Sequence, residues 1–128
     1  MSWRERLRQN PSNAEIEILI ELQRRGLTTL LETQKGFRFD PEVDGVEGTR
    51  IDYYWNPPYN YAVFLDGEPI HGKDRQSERD ELITKALEKR GIRVDRFSYR
   101  PPLTKRRKIE IVDQIEETLN LRAGNPPP

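Results

Sequence analysis

Two hydrophobic periods take turns along this chain, and the places where they switch lay out its elements. Ile16, Leu19, Ile20 and Leu27, widened by Ile18 and Leu22, recur at helical spacing. Ser12 stands where a cap belongs, Glu15 follows three residues later as in a capping box, and Gly26 is a natural stop. Leu30 to Phe39 reads as a strand broken by Gly36, and the segment from Asp40 to Gly48 as a turn-rich acidic loop. Arg50 to Trp55 and Tyr61 to Leu65 are strands joined by a short Asn/Pro connector, which predicts an antiparallel pair. Alternation puts Ile51, Tyr53 and Trp55 on one face and Asp52 and Tyr54 on the other. A second helix is predicted over Ser77 to Arg90, with Ile83, Ala86 and Leu87 inward. A fourth strand covers Ile92 to Tyr99, and a last helix runs from Thr104 to Leu121. The order is helix, three strands, helix, strand, helix. It predicts an α/β fold in which helices flank a small mixed sheet.

At 128 residues the chain is long enough for one core, so a single domain over residues 1–122 is expected, followed by a disordered tail over 123–128. Hydrophobic and charged residues each make up 34%, which asks for an economical core under a heavily charged surface. No cysteine is present, so disulfides and thiolate zinc sites are excluded. Met1 to Arg8 carries charge with no apolar run behind it, and no stretch has the length of a membrane span; a cytoplasmic protein is expected. The net charge is zero but unevenly spread. Glu32 to Glu81 holds six Lys/Arg against twelve Asp/Glu, and the segment from Leu82 onward eleven against six. An acidic middle beside a basic C-terminal part suits a metal centre flanked by phosphate-holding surface, and equally an ordinary salt-bridged surface.

Candidate chemistry gathers around the single histidine. His71 follows the apolar segment Tyr61 to Leu65 and the Asp66-Gly67 turn, and Asp52 sits one strand earlier. Oxygen ligands for a divalent ion near a group that titrates close to neutrality are what metal-assisted phosphodiester hydrolysis needs. Glu15 falls on the apolar stripe of the first helix, while Glu17 and Glu21 point away from it; Asp80 falls on the inward face of the second helix. A capping role accounts for either acid without any chemistry. Lys105, Arg106, Arg107 and Lys108 open the last helix, where cations oppose the macrodipole; contact with phosphates offers a compensating benefit. Tyr53, Tyr54, Trp55 and Tyr59 are expected in packing, with stacking on bases as a secondary role.

The segment Val63-Phe-Leu-Asp-Gly-Glu-Pro-Ile-His-Gly72, then Arg79-Asp80, then Arg90 to Phe97, resembles the very-short-patch-repair endonucleases, the DUF559 proteins and the homing endonucleases with a Glu-Asp-x-His-Asp signature, all of the PD-(D/E)xK superfamily. Asn13-Ala-Glu15 with Leu22 is similar to that group's first helix, so the resemblance spans about Asn10 to Tyr99. It implies a restriction-endonuclease-like core and a Mg²⁺-dependent DNA endonuclease, with Mn²⁺ as a substitute. Asp52 would be the central metal ligand, the Leu65 carbonyl a second, and Asp66 an added one. His71 would be the general base or the leaving-group acid. Glu15 would orient a water at the metal or the imidazole, and Asp80 would fix the imidazole tautomer.

Two departures stand out. Phe64 occupies a position often held by Glu in DUF559 proteins, and the motif lysine is missing, which leans the pattern towards histidine chemistry. Glu68-Pro-Ile70 replaces the aromatic wedge of the repair members, so mismatch-specific repair is not implied. DNA is the expected partner, a homodimer is compatible with the sequence, and no small-molecule cofactor is called for. A DNA-binding module of the same fold with weak or lost chemistry is the alternative, and a subunit whose acidic middle contacts a protein is a third.

Overall fold

The hydroxyl of Ser12 accepts from the Glu15 backbone N–H at 3.1 Å, satisfying one of the N–H groups that a helix start leaves free. The computed structural model describes residues 12–67 and 73–123, and in it this first helix, α1, runs Asn13–Arg24. Then follow β1 (Leu31–Val43), β2 (Val46–Trp55), β3 (Tyr61–Gly67), α2 (Lys73–Glu88), β4 (Arg93–Tyr99) and α3 (Lys105–Arg122). The strands form one sheet in the order β1-β2-β3-β4. The first three pair antiparallel; β4 returns through α2 to lie parallel to β3, as a helical crossover allows. The expected small mixed sheet flanked by helices is therefore what the chain builds. Of the expected tail, Ala123 caps α3, and residues 124–128 lie outside the described residues.

Two apolar clusters cover the two faces. On one, α1 and α3 bury Ala14, Ile18, Leu22, Ile111, Val112, Ile115 and Leu119 against Tyr53, Trp55, Tyr61, Val63 and Leu65. On the other, α2 brings Ile83, Ala86 and Leu87 against Phe39, Ile51, Tyr54, Ala62 and Phe64. Trp55, Tyr53 and Tyr61 are among the largest fully buried side chains. Their polar tips are used as struts: Tyr53 Oη donates to the Glu15 carbonyl at 2.7 Å and Trp55 Nε1 to the Leu27 carbonyl at 2.7 Å. Both ends of α1 are thereby tied to β2.

Five sequence expectations need correction. The segment from Asp40 to Gly48 is no loop: β1 and β2 run through it to a tight hairpin at Asp44-Gly45, both at positive φ (46° and 83°). An Asp-Gly pair suits that turn because its twist matches the flanking strands. On α1, Ile16 and Ile20 are exposed and the buried face is Ala14, Ile18, Glu21 and Leu22. Glu21 does not point away; it accepts from Arg24 at 2.8 Å and Arg25 at 2.9 Å, and Arg25 also reaches Asp113 and Glu116 on α3. A buried carboxylate is tolerable there because two guanidinium groups cover it. Ile51 does not share a face with Tyr53 and Trp55 but packs with Tyr54, because alternation breaks at Asp52. Finally, α2 begins at Lys73, four residues ahead of the expected Ser77.

Candidate functional site

Asp52 sits where β2 parts from β3. These strands pair only from Tyr53 to Trp55, whereas β3 pairs with β4 along all of Tyr61–Gly67. At the parting point the Leu65 backbone N–H donates to Asp52 Oδ2 at 2.8 Å, so a side chain takes the place of a ladder bond. Asp52 is 6% exposed. Burial raises its pKa to about 6; the Leu65 N–H and Arg50 pull the other way, and the Glu15 and Asp66 carboxylates add to the rise. Its second oxygen, Oδ1, is buried without a hydrogen bond, and Arg50 Nη2 stands 3.3 Å away as an ion pair.

Glu15 reaches the same place from the first turn of α1. Together with Asp52, Gln34, Thr33, Tyr53, Ile16 and Leu19 it lines a cavity of about 330 Å³ between α1 and the β1–β2 pair. Gln34 Nε2 donates to Glu15 Oε2 at 2.8 Å, while Gln34 Oε1 is buried with no partner. The position of Gln34 is unusual as well. Its φ is +55° in the middle of a strand, a left-handed conformation that costs a side-chain-bearing residue roughly 1–2 kcal/mol. Sequence reasoning missed Gln34, since no composition or spacing marks a glutamine for that backbone. It also missed Arg50, although its position two residues before Asp52 offered a weak signal.

Asp66 and Asp80 belong to a second group on the α2 side of the sheet. Arg96 of β4 lies between them, 3.6 Å from Asp80 Oδ1 and 3.9 Å from Asp66 Oδ2. Its guanidinium stacks on Phe64 at 4.1 Å from the ring centroid and donates to Thr84 Oγ1 and the Asp80 carbonyl. Burial raises the Asp66 pKa, with Arg96 opposing and Asp80 adding to the rise. Asp80 is thus a partly exposed partner of Arg96 rather than an acid aimed into the core. The structure therefore joins Glu15, Asp52 and Leu65 on one side, and Asp66 and Asp80 on the other. Among the described residues, no three acid or histidine side chains stand close enough to share one ion. His71 lies outside the described residues.

The basic run divides in two. Thr104 caps α3 by accepting from the Arg107 N–H at 3.1 Å, and Arg107 Nε donates to the Ser98 carbonyl at 2.9 Å, fastening α3 to β4. Lys105 and Arg106 are exposed, and Lys108 is half-buried. Among the described residues no helix is long and apolar enough to cross a membrane.

Oxygen is the only donor type this centre offers among the described residues, which suits a hard divalent cation such as Mg²⁺ or Mn²⁺. The two buried oxygens without hydrogen bonds, Asp52 Oδ1 and Gln34 Oε1, fit such an ion, because a buried acceptor left without a donor is costly. Comparison of the chain with protein-family models, with curated proteins and with solved structures found no match.

Proposed function

We propose that this chain is a divalent-metal-dependent DNA endonuclease of the very-short-patch-repair type, with a PD-(D/E)xK core. The observation that carries the reading is Asp52: a buried carboxylate at the point where two strands part, one oxygen held by the Leu65 N–H and the other without a hydrogen bond. Asp52 and the Leu65 carbonyl hold Mg²⁺, and Glu15 stands on the same cavity to orient a water. When bound, the ion supplies positive charge to the phosphoryl oxygens and makes water more acidic. His71 accepts or returns a proton, since imidazole titrates near neutrality. Asp66 is an added ligand only if it leaves Arg96, and Asp80 steadies His71 only if it does the same. Lys105, Arg106 and Lys108 hold phosphates of the duplex.

One observation favours a second reading, a DNA-binding module of the same fold. Arg50 already supplies a counter-charge to Asp52, and Phe64, under the Arg96 guanidinium, brings no carboxylate. Supercoiled plasmid incubated with the chain separates the two. The nuclease converts it to nicked or linear DNA with Mg²⁺ or Mn²⁺ and not with EDTA. A module retards the plasmid under every condition and leaves it intact, and that result would overturn the enzyme reading.

A further inference from the structure

We propose that Gln34 is a ligand of the same divalent ion, offering its amide oxygen beside Asp52 Oδ1 and using its amide N–H to set the Glu15 carboxylate. The inference rests on the metal-dependent reading of this site and adds to it a residue that no motif contains. Four observations carry it.

The first is register. Thr33 pairs with Tyr53 and Lys35 with Ile51, so Gln34 falls opposite Asp52 at the step where the ladder between those pairs is interrupted. The second is backbone conformation. Left-handed φ is enriched at Gly, Asn, Asp and His, and a glutamine that holds it inside a strand points to a constraint beyond the strand itself. The third is amide orientation. Gln34 Nε2 donates to Glu15 Oε2, which turns the amide oxygen away from that carboxylate. The fourth is that this oxygen, on a residue 8% exposed, makes no hydrogen bond, as is true of Asp52 Oδ1 on a residue 6% exposed. Gln34 and Asp52 line one cavity; a buried acceptor without a donor is costly, and a cation bound against it offsets that cost. Among the described residues, Arg50 Nη2 at 3.3 Å is the one positive group within ion-pair distance of Asp52, and it makes no hydrogen bond there. The cavity lined by Glu15, Gln34 and Asp52 gives an ion and its waters a way in.

A neutral amide suits this place. It adds an oxygen to the ion without adding a third negative charge beside Glu15 and Asp52. A purely structural glutamine would serve Glu15 alone, and its oxygen would have no reason to stay buried without a donor.

The test uses the full chain at pH 8 with Mn²⁺ as probe, binding being read from loss of the free-ion paramagnetic resonance signal. Gln34→Met and Gln34→Glu keep the side-chain length and impose the same backbone cost. Gln34→Met is expected to weaken Mn²⁺ binding on the order of tenfold or more, and Gln34→Glu to retain or tighten it. A structural role predicts the reverse order, since a carboxylate placed against Glu15 disturbs the site more than a thioether does. Wild-type affinity in Gln34→Met, or a loss in Gln34→Glu equal to that in Gln34→Met, would overturn the assignment of Gln34 and leave the metal site standing. Melting of each variant without metal, followed by circular dichroism, establishes that both fold. Asp52→Asn separates the two levels: if it binds Mn²⁺ as the wild type does, or if the wild type binds none, the metal-dependent reading itself fails and Gln34 falls with it.

Discussion

Asp52 and Leu65 are joined by a buried hydrogen bond of 2.8 Å that stands in for a missing rung between β2 and β3. The bond gives Asp52 a structural duty apart from any ion. Asp52→Asn retains an oxygen for the Leu65 N–H, whereas Asp52→Ala leaves that donor buried and unpaired. Urea denaturation should find Asp52→Asn more stable than Asp52→Ala by about 1–3 kcal/mol, the cost of an unsatisfied buried donor. Equal midpoints would mean that the Leu65 N–H finds another partner.

The same carboxylate makes stability depend on pH. Its folded pKa of about 6 lies above the ordinary 3.8, mainly because burial disfavours the charge. Between those values the folded chain binds more protons than the unfolded one, so this group makes stability fall as pH rises from about 4 to about 6 and stay level above. Over that range this group's contribution to stability changes by roughly 3 kcal/mol. Glu15, Arg50 and Asp66 act on Asp52 as well, and other acids titrate over the same range, so the clean quantity is the difference between wild type and Asp52→Asn in metal-free buffer. That difference should favour Asp52→Asn at pH 7 and shrink towards pH 4. A difference that does not vary with pH would contradict the burial of an ionised Asp52.

Arg25 joins α1 to α3 through Asp113 at 2.7 Å and Glu116 at 3.1 Å while covering the buried Glu21 at 2.9 Å. These pairs hold the helix that carries Glu15. Arg25→Leu should destabilise the fold by about 1–3 kcal/mol, because hydrogen bonds to charged groups are lost and Glu21 keeps only Arg24. Glu21→Gln should be milder. If both are silent in thermal denaturation, α1 is held by its apolar face alone.

The basic run should split by function. Lys105→Ala with Arg106→Ala should lower the slope of log DNA affinity against log salt by about 0.9 for each phosphate contact removed. Arg107→Ala should instead lower thermal stability, because Arg107 is fastened to the Ser98 carbonyl. A salt slope unchanged in the double variant would make those two cations ordinary solvated surface.

What could be read from the sequence is what local chemistry decides. The Ser12 cap, the antiparallel pair around the Asn/Pro connector and the order of helices and strands all follow from short-range pattern. What could not be read depends on chain far away. Glu21 is buried because Arg24 and Arg25 cover it, and Arg25 is held over it by acids some ninety residues on; Ile16 and Ile20 are exposed because α1 turns its Ala14–Ile18–Leu22 edge to the sheet. The hairpin at Asp44-Gly45 was legible, since the dipeptide is a turn signal, but the acidic residues around it resemble a loop. Gln34 was not legible at all: its backbone conformation and its neighbour Asp52 come from strand register, which one sequence does not spell out.

The most direct measurement follows nicking and binding together, using supercoiled plasmid and a labelled duplex with wild type and Asp52→Asn at equal concentration in Mg²⁺. The wild type should nick, and Asp52→Asn should lose rate by on the order of 10²–10³-fold or more, as when electrostatic stabilisation of a transition state is removed, while duplex affinity stays within a few-fold. Nicking by Asp52→Asn at the wild-type rate, or no nicking by the wild type in Mg²⁺ or Mn²⁺, would contradict the account.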